Sequence, residues 1–257
     1  MRIGVGVATF NRSKKLKVTL ENILLNTPTD VDIVVADDGS SDDTMHVIEQ
    51  FGTRISNTIT GRNHGAAWNK NRLLFYLDRV CRADVCIILE DDTYPISQDW
   101  ESSWVDAASR LGHVGYAAPW FANSFVGGDG SAISPYESCN TTAQCAAFSS
   151  YALSYVGYMD SRFGKLGGEH VEHSMRFVRN RFGGYSISET EFTPMYYLLS
   201  GNFVVSAEES YFTDEKKISD SIKMVHDLID GPDFRLPWSD NAQAVEFRSE
   251  IESSLNK

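Results

Sequence analysis

A chain of 257 residues with 42% hydrophobic content has core enough for one large α/β domain or two closely joined halves, which excludes disorder over most of its length. A net charge of −12 argues against general binding to nucleic acid or anionic membrane, though not against a local basic patch. No apolar stretch reaches the roughly 20 residues needed to span a bilayer, and Met1 leads almost at once into a strand-like segment, so neither a membrane span nor a signal peptide is expected. Ile3–Ala8 reads as a first strand, and Ser13 as the N-cap of a helix with Leu16, Leu20, Ile23 and Leu24 at helical spacing. Asp32–Ala36 is a second buried strand, followed by Asp37-Asp38-Gly39-Ser40. A short helix over Asp43–Phe51 and a strand over Arg54–Thr60 come next, then a helix with Leu73, Leu74, Leu77, Val80 and Cys81 on one face. Val85–Leu89 is an apolar run that reads as a strand buried on both faces.

Further along, Trp100, Trp104, Ala108 and Leu111 have the spacing of a packed helix, and Val114–Pro119 reads as another strand. Residues 122–145 are rich in Gly, Ser and Asn and read as a long loop, of a kind that is often functional. A later helix is expected to bury Val171, Met175, Val178 and Phe182 and to close at Gly183-Gly184. From about Ala207 the chain is charged and mostly helical, with breaks at Gly231-Pro232 and Pro237-Trp238. Cys81 and Cys86 fall in apolar patterns, as buried free thiols do. Cys139 and Cys145 would bridge only in an oxidising compartment, and the simpler reading is a reduced, cytoplasmic protein. No CxxC pair suggests zinc.

Glu90-Asp91-Asp92 follows the buried strand directly. Three carboxylates in a row raise one another's pKa unless a cation sits among them, and oxygen ligands suit Mg²⁺ or Mn²⁺. A solvated acidic turn is the competing reading. Strand–helix alternation implies a largely parallel sheet with helices on both faces, and ligands then bind beyond the carboxyl ends of the strands. Ala8–Arg12, Asp37–Ser40 and Glu90–Asp92 all occupy that rim, and such convergence favours a ligand site.

Taken together, VGVATFNR, VVADDGSSDDT, NHGAAWNKN, ILEDDTYP and the later VGYMDSRFG and GGEHVEHSMR resemble the family 2 glycosyltransferases of GT-A fold, over roughly residues 3 to 182. The resemblance implies a Rossmann-like α/β/α sandwich with a mostly parallel central sheet. Residues 1–120 would form the nucleotide-sugar half and 121–206 the acceptor half. Residues 207–257 would form a helical tail that could serve as a lid. It also implies a nucleoside-diphosphate sugar, UDP-linked for choice, as donor. Ala8 and Thr9 would then lie against the base and Asp38 would accept the uracil N3 hydrogen. Asn11, Arg12, Asn63, Lys70 and Arg72 could line the base or diphosphate. A calcium loop over Asp38–Glu49 is rejected, because Asp43 stands where the sharp turn needs Gly and a strand precedes it.

Glu90-Asp91-Asp92 matches the family's DxD-type motif. The match implies Asp92 as principal ligand of Mn²⁺ or Mg²⁺, Glu90 on ribose, Asp91 on sugar or metal, and His226 as a third ligand, with His64 a weaker candidate. Inverting members usually carry Glu-Asp where this chain has Glu169-His170. His170, or Glu169, is then the candidate base. The same segment resembles the GGENxE segment of the retaining polypeptide N-acetylgalactosaminyltransferases, which would give Glu172 and Arg176 roles at the donor sugar, unless they form only a structural ion pair. Trp120, Phe121, Phe125, Tyr136 and Tyr151 suit sugar stacking or core packing, and Trp238 a lid. Stereochemistry, acceptor and oligomeric state stay open; a glycan, a lipid-linked sugar, a protein or a hydroxylated DNA base all qualify as acceptor. A nucleotidyltransferase and an inactive sugar-nucleotide-binding scaffold are the other readings.

Overall fold

A computed structural model describes residues 1–187, 192–206, 215–228 and 230–256. Its frame is four parallel strands, β1 (Ile3–Thr9), β2 (Asp32–Asp37), β3 (Asn57–Thr60) and β4 (Val85–Glu90), in the order β3-β2-β1-β4. Val85, Ile87 and Leu89 of β4 enter the core on one face, and Cys86 and Ile88 enter the core on the other. A strand covered on both sides has no polar face to alternate with, which is why its sequence is a continuous apolar run. Each of the aliphatic side chains among them stabilises the fold by about 1.5–3 kcal/mol when removed from water.

Helix α1 (Ser13–Asn26) packs Leu16, Leu20 and Ile23 on the first face; α2 (Thr44–Glu49) adds Val47 and Ile48. α1 starts at Ser13 rather than being capped by it, and the first-turn Ser13 amide donates 2.9 Å to the Asp42 carboxylate of the β2–α2 loop. A distant acid has replaced the expected local cap. On the opposite face lies α3 (Ala66–Phe75), continued by a π-helical turn over Tyr76–Val80. A Cβ on Gly4 would come within 2.6 Å of Leu77 Cδ2, so the missing side chain lets this helix lie close on β1 and bring Lys70 to the strand ends.

Past β4 come β5 (Thr93–Pro95), α4 (Trp100–Leu111) and β6 (His113–Tyr116), which ends before the expected Pro119. Residues 122–145 hold two short strands, β7 (Phe125–Gly127) and β8 (Tyr136–Ser138), instead of a structureless loop. They were invisible to a pattern search because three-residue strands carry no readable alternation. β9 (Cys145–Ser149) runs antiparallel between β4 and β6, and α5 (Ser150–Val156) follows. After α6 (Glu169–Arg179), β10 (Gly184–Ile187) pairs with β11 (Phe192–Leu199), and β11 joins β6 in parallel. β12 (Phe203–Val205) pairs with β5, and α7 (Glu215–Leu228) and α8 (Asn241–Leu255) complete the described chain. This is a mixed α/β fold with a large central sheet, parallel through β3-β2-β1-β4 as expected from the sequence and mixed beyond β4.

The expected apolar stripe of α6 is displaced. Glu169, Glu172, His173, Ser174, Arg176, Phe177 and Val178 are buried, whereas Val171, Met175 and Phe182 are partly exposed. The helix closes at Asn180, short of Gly183. Charged groups go inside because Lys70 neutralises Glu169, and Glu172 and Arg176 neutralise each other with help from Arg235. All four cysteines are free, three of them buried and Cys139 exposed. Trp238, partly buried, packs on Phe75 and Phe247 beneath Arg248 at the edge of the core. The possible lid falls partly on residues 207–214, which lie outside the described residues. No helix among the described residues is long and apolar enough to cross a membrane.

Candidate active site

Parallel register places the three expected clusters side by side: Ala8 lies opposite Ala36 and Glu90, and Thr9 opposite Asp37. Glu90 is the last residue of β4, and Asp91 and Asp92 form the turn into β5. Asp91 accepts a 2.7 Å hydrogen bond from Thr9 Oγ1 and a 3.0 Å one from Arg12 Nη1. The same Arg12 nitrogen lies 2.9 Å from Asp92 Oδ2. Burial pushes the Asp91 carboxyl up to about 6, against the pull of Arg12 and Thr9. Asp92 is also raised, by burial first and then by the Glu90 charge. Even with a guanidinium between them, the two acids are short of positive charge.

Lys70 is buried on α3, with its ammonium 2.9 Å from Glu90 Oε1 and 3.1 Å from Glu169 Oε1. Burial alone would lower the lysine, but the two carboxylates hold it well above its usual range. Burial alone would raise Glu169, and the Lys70 ammonium holds it well below the usual carboxylate range. Glu169 is thereby a poor proton acceptor. His170 begins α6 beside it with a partly exposed side chain; its Nδ1 is 3.8 Å from Glu169 Oε1, too long for a hydrogen bond. That Nδ1 is buried and has no hydrogen-bond partner. His170 also lines a small cavity with Lys70, Thr142, Met159, His173 and Ser174.

Asp38 sits at the other corner, buried and held by the amides of His64 at 3.1 Å and Gly65 at 2.8 Å and by Arg72 Nη1 at 3.0 Å. Gly65 has φ +96°, and a Cβ there would collide with the Gly164 carbonyl, so only glycine lets this loop turn into α3. Asn63 Oδ1 is buried nearby in the chain without a partner. Asn11, at φ +51°, donates its amide to Ser40 Oγ and accepts the Ser41 amide, and so clips the first loop to the Asp-Gly turn.

Not every expected residue joins this group. Glu172 and Arg176 pair at 2.9 Å, and the remaining arginine donors go to the carbonyls of Val156, Tyr158 and Asp233. Arg235 adds a 3.2 Å contact to Glu172 and a 2.8 Å one to Asp160. None of these bonds reaches Glu90, Asp91, Asp92 or Lys70, and the network ties residues 231–235 to α6. His226 is exposed in the last turn of α7 and forms no three-ligand cluster with Asp91 and Asp92. Among the described residues, the three potential metal ligands that do converge are His64, Glu246 and Glu250, with their ligand atoms within 4.8 Å of one another. Glu250 already accepts from Arg72 and Trp68, so that cluster is an ion-pair knot. Its α8 members were missed, since nothing in the sequence links Glu250 to Arg72.

Comparison with known proteins bears on the family and the fold. The sequence pattern described as "Glycosyl transferase family 2" matches residues 5–150. Comparison with curated protein sequences yields no match. Among solved structures, the mannosyltransferase PcManGT from Pyrobaculum calidifontis, in complex with GDP-Man and Mn²⁺, superposes with a TM-score of 0.61 at 14% identity, over 98% of this chain and 68% of that one. S. aureus TarS 1-349 in complex with UDP-GlcNAc gives 0.57 at 15% identity, over 100% and 72%. GalNAc-T7 with UDP, GalNAc and Mn²⁺ gives 0.57 at 12% identity, over 98% and 54%, so the chain spans about half of that protein.

Proposed function

Since the chain belongs to glycosyl transferase family 2, we propose that it moves a sugar from a UDP-sugar to an acceptor hydroxyl, with help from a divalent cation. One observation carries the reading: Asp91 and Asp92, buried at the end of β4, share the single cationic nitrogen of Arg12. Their donor set is all oxygen, and their carboxyls stay raised even with that nitrogen in place, so Asp92, with Asp91, would hold Mn²⁺ or Mg²⁺. When bound, the ion supplies positive charge to the diphosphate leaving group.

The chain's own residues have separable tasks. Asp38 has one acceptor position left on Oδ2 after its three bonds, enough for the imino hydrogen of uracil. Ala8, Thr9, Asn11 and Asn63 frame the base, and Glu90 reaches the ribose. Arg12 and Lys70 bring positive charge to the diphosphate. His170 takes the proton from the acceptor oxygen as that oxygen bonds to the anomeric carbon and the bond to the diphosphate breaks. Glu169 is no rival for this role because Lys70 keeps it ionised and weakly basic. Glu172 and Arg176, committed to each other, hold α6 in place. These roles describe direct displacement with inversion.

A thermal-shift and calorimetric panel of UDP-, GDP- and ADP-sugars, each with and without Mn²⁺, tests the reading. Stabilisation by UDP-sugars that needs Mn²⁺ and disappears in Asp92→Ala is expected. Absence of any metal-dependent nucleotide binding would overturn it. The anomer of the product then tests inversion.

A further inference from the structure

The C-terminal helix α8 lies far from the strand ends in sequence, yet two of its acids hold the groups that hold Asp38. Glu250 accepts from Arg72 Nε at 3.0 Å and Nη2 at 2.8 Å, a two-point grip on the guanidinium, and from Trp68 Nε1 at 2.9 Å. Arg72 is fully buried, and its other donors go to Asp38 Oδ1, Asn69 Oδ1 and the Arg62 carbonyl. One turn earlier on α8, Glu246 Oε1 lies 2.9 Å from His64 Nε2. The backbone amides of His64 and its neighbour Gly65 are the remaining donors to Asp38. Every hydrogen bond that Asp38 makes through its carboxylate is therefore braced by one of two glutamates spaced four apart. Residues four apart share one helix face, and Phe247 and Ile251 bury the adjoining face against the core.

We propose that Glu250 and Glu246 are positioning residues for nucleobase selection, acting through Arg72 and His64 on Asp38. The inference rests on the reading of Asp38 as the acceptor for the base. The Arg72 grip orients Asp38 so that its one open acceptor position faces the base. Without Glu250, the guanidinium loses its only charged anchor besides Asp38 among the bonds described, keeping the neutral oxygens of Asn69, Arg62 and Asp37, and Asp38 can turn. Ligands sharing a ribose and diphosphate but differing in the base would then be discriminated less. A purely structural role would weaken all of them alike.

The test measures affinities for UDP and GDP by calorimetry with Mn²⁺ present, in the wild type, Glu250→Gln and Glu246→Gln. A roughly tenfold loss of discrimination in Glu250→Gln is expected, with a smaller loss in Glu246→Gln and none further when either is combined with Asp38→Ala. Equal weakening of both nucleotides, or an unchanged ratio, would overturn the proposal while leaving the glycosyltransferase reading intact. If the wild type binds neither nucleotide, the reading of the donor pocket fails first. Should Glu250→Gln not fold, the half-exposed Glu246 decides, and an unchanged ratio in Glu246→Gln overturns the proposal.

Discussion

The Lys70 ammonium on α3 lies 3.1 Å from the Glu169 carboxylate on α6, and both side chains are almost wholly buried. This pair joins the parallel half of the sheet to the later half beside the acidic turn, because the same ammonium also holds Glu90. Removing one member leaves the other charged and dry. Lys70→Met is expected to destabilise the fold by about 3–5 kcal/mol, as breakage of buried pairs does. Urea unfolding checks it. Lys70→Met combined with Glu169→Gln should recover much of the loss, since the wholly buried carboxylate is then gone and the Glu90 charge left behind is partly exposed.

At the acidic turn, Asp92→Asn removes a carboxylate shared with Arg12. Mn²⁺-dependent UDP binding is expected to fall by about two orders of magnitude or more, in line with the several kcal/mol a catalytic ion contributes. Titration followed by the electron paramagnetic resonance of free Mn²⁺ measures it. An unchanged Mn²⁺ affinity would move the cation site away from β4.

His170→Gln separates chemistry from binding. The side chain is partly exposed at the start of α6 and has no hydrogen-bond partner for Nδ1, so little stability depends on it. Transfer is expected to slow by about 10²–10⁴-fold, the usual worth of a general base, with UDP-sugar affinity near that of the wild type. A variant that keeps its rate would remove His170 from the reaction.

Acid should loosen the fold through His113. Its ring stacks on Phe148 and contacts the Ala147 carbonyl and Ser174 Oγ, and burial pushes its pKa down to about 4. The unfolded chain binds that proton near pH 6.5, so the folded state is the one that resists protonation. Stability is full above pH 6.5 and declines as pH falls towards 4, by about 3 kcal/mol from this one group. Burial also holds His173 well below its usual value, which adds in the same direction. Chemical denaturation of wild type and His113→Phe across that window should show a flatter profile in the variant.

Local patterns were enough to read the first half of the fold and the rim where ligands bind. The apolar run Val85–Leu89 could only be a strand covered on both faces, and Glu90-Asp91-Asp92 behind it could only emerge at that strand's carboxyl end. Such features are legible because strand period and burial act over a few adjacent residues. Partner choice is different. Whether Glu172 and Arg176 serve a ligand or each other, whether Lys70 meets Glu169, and whether Glu250 grips Arg72 depend on segments 4 to 178 positions apart. The α6 stripe shows why. By periodicity Val171, Met175 and Phe182 belonged inside, yet Glu172 and Arg176 took that place because Arg235 and three backbone carbonyls satisfy their charges there. The sequence by itself therefore determined the parallel frame and the acidic turn. Only tertiary packing decided which buried charges are neutralised, since that requires opposite charges from distant segments to meet out of water.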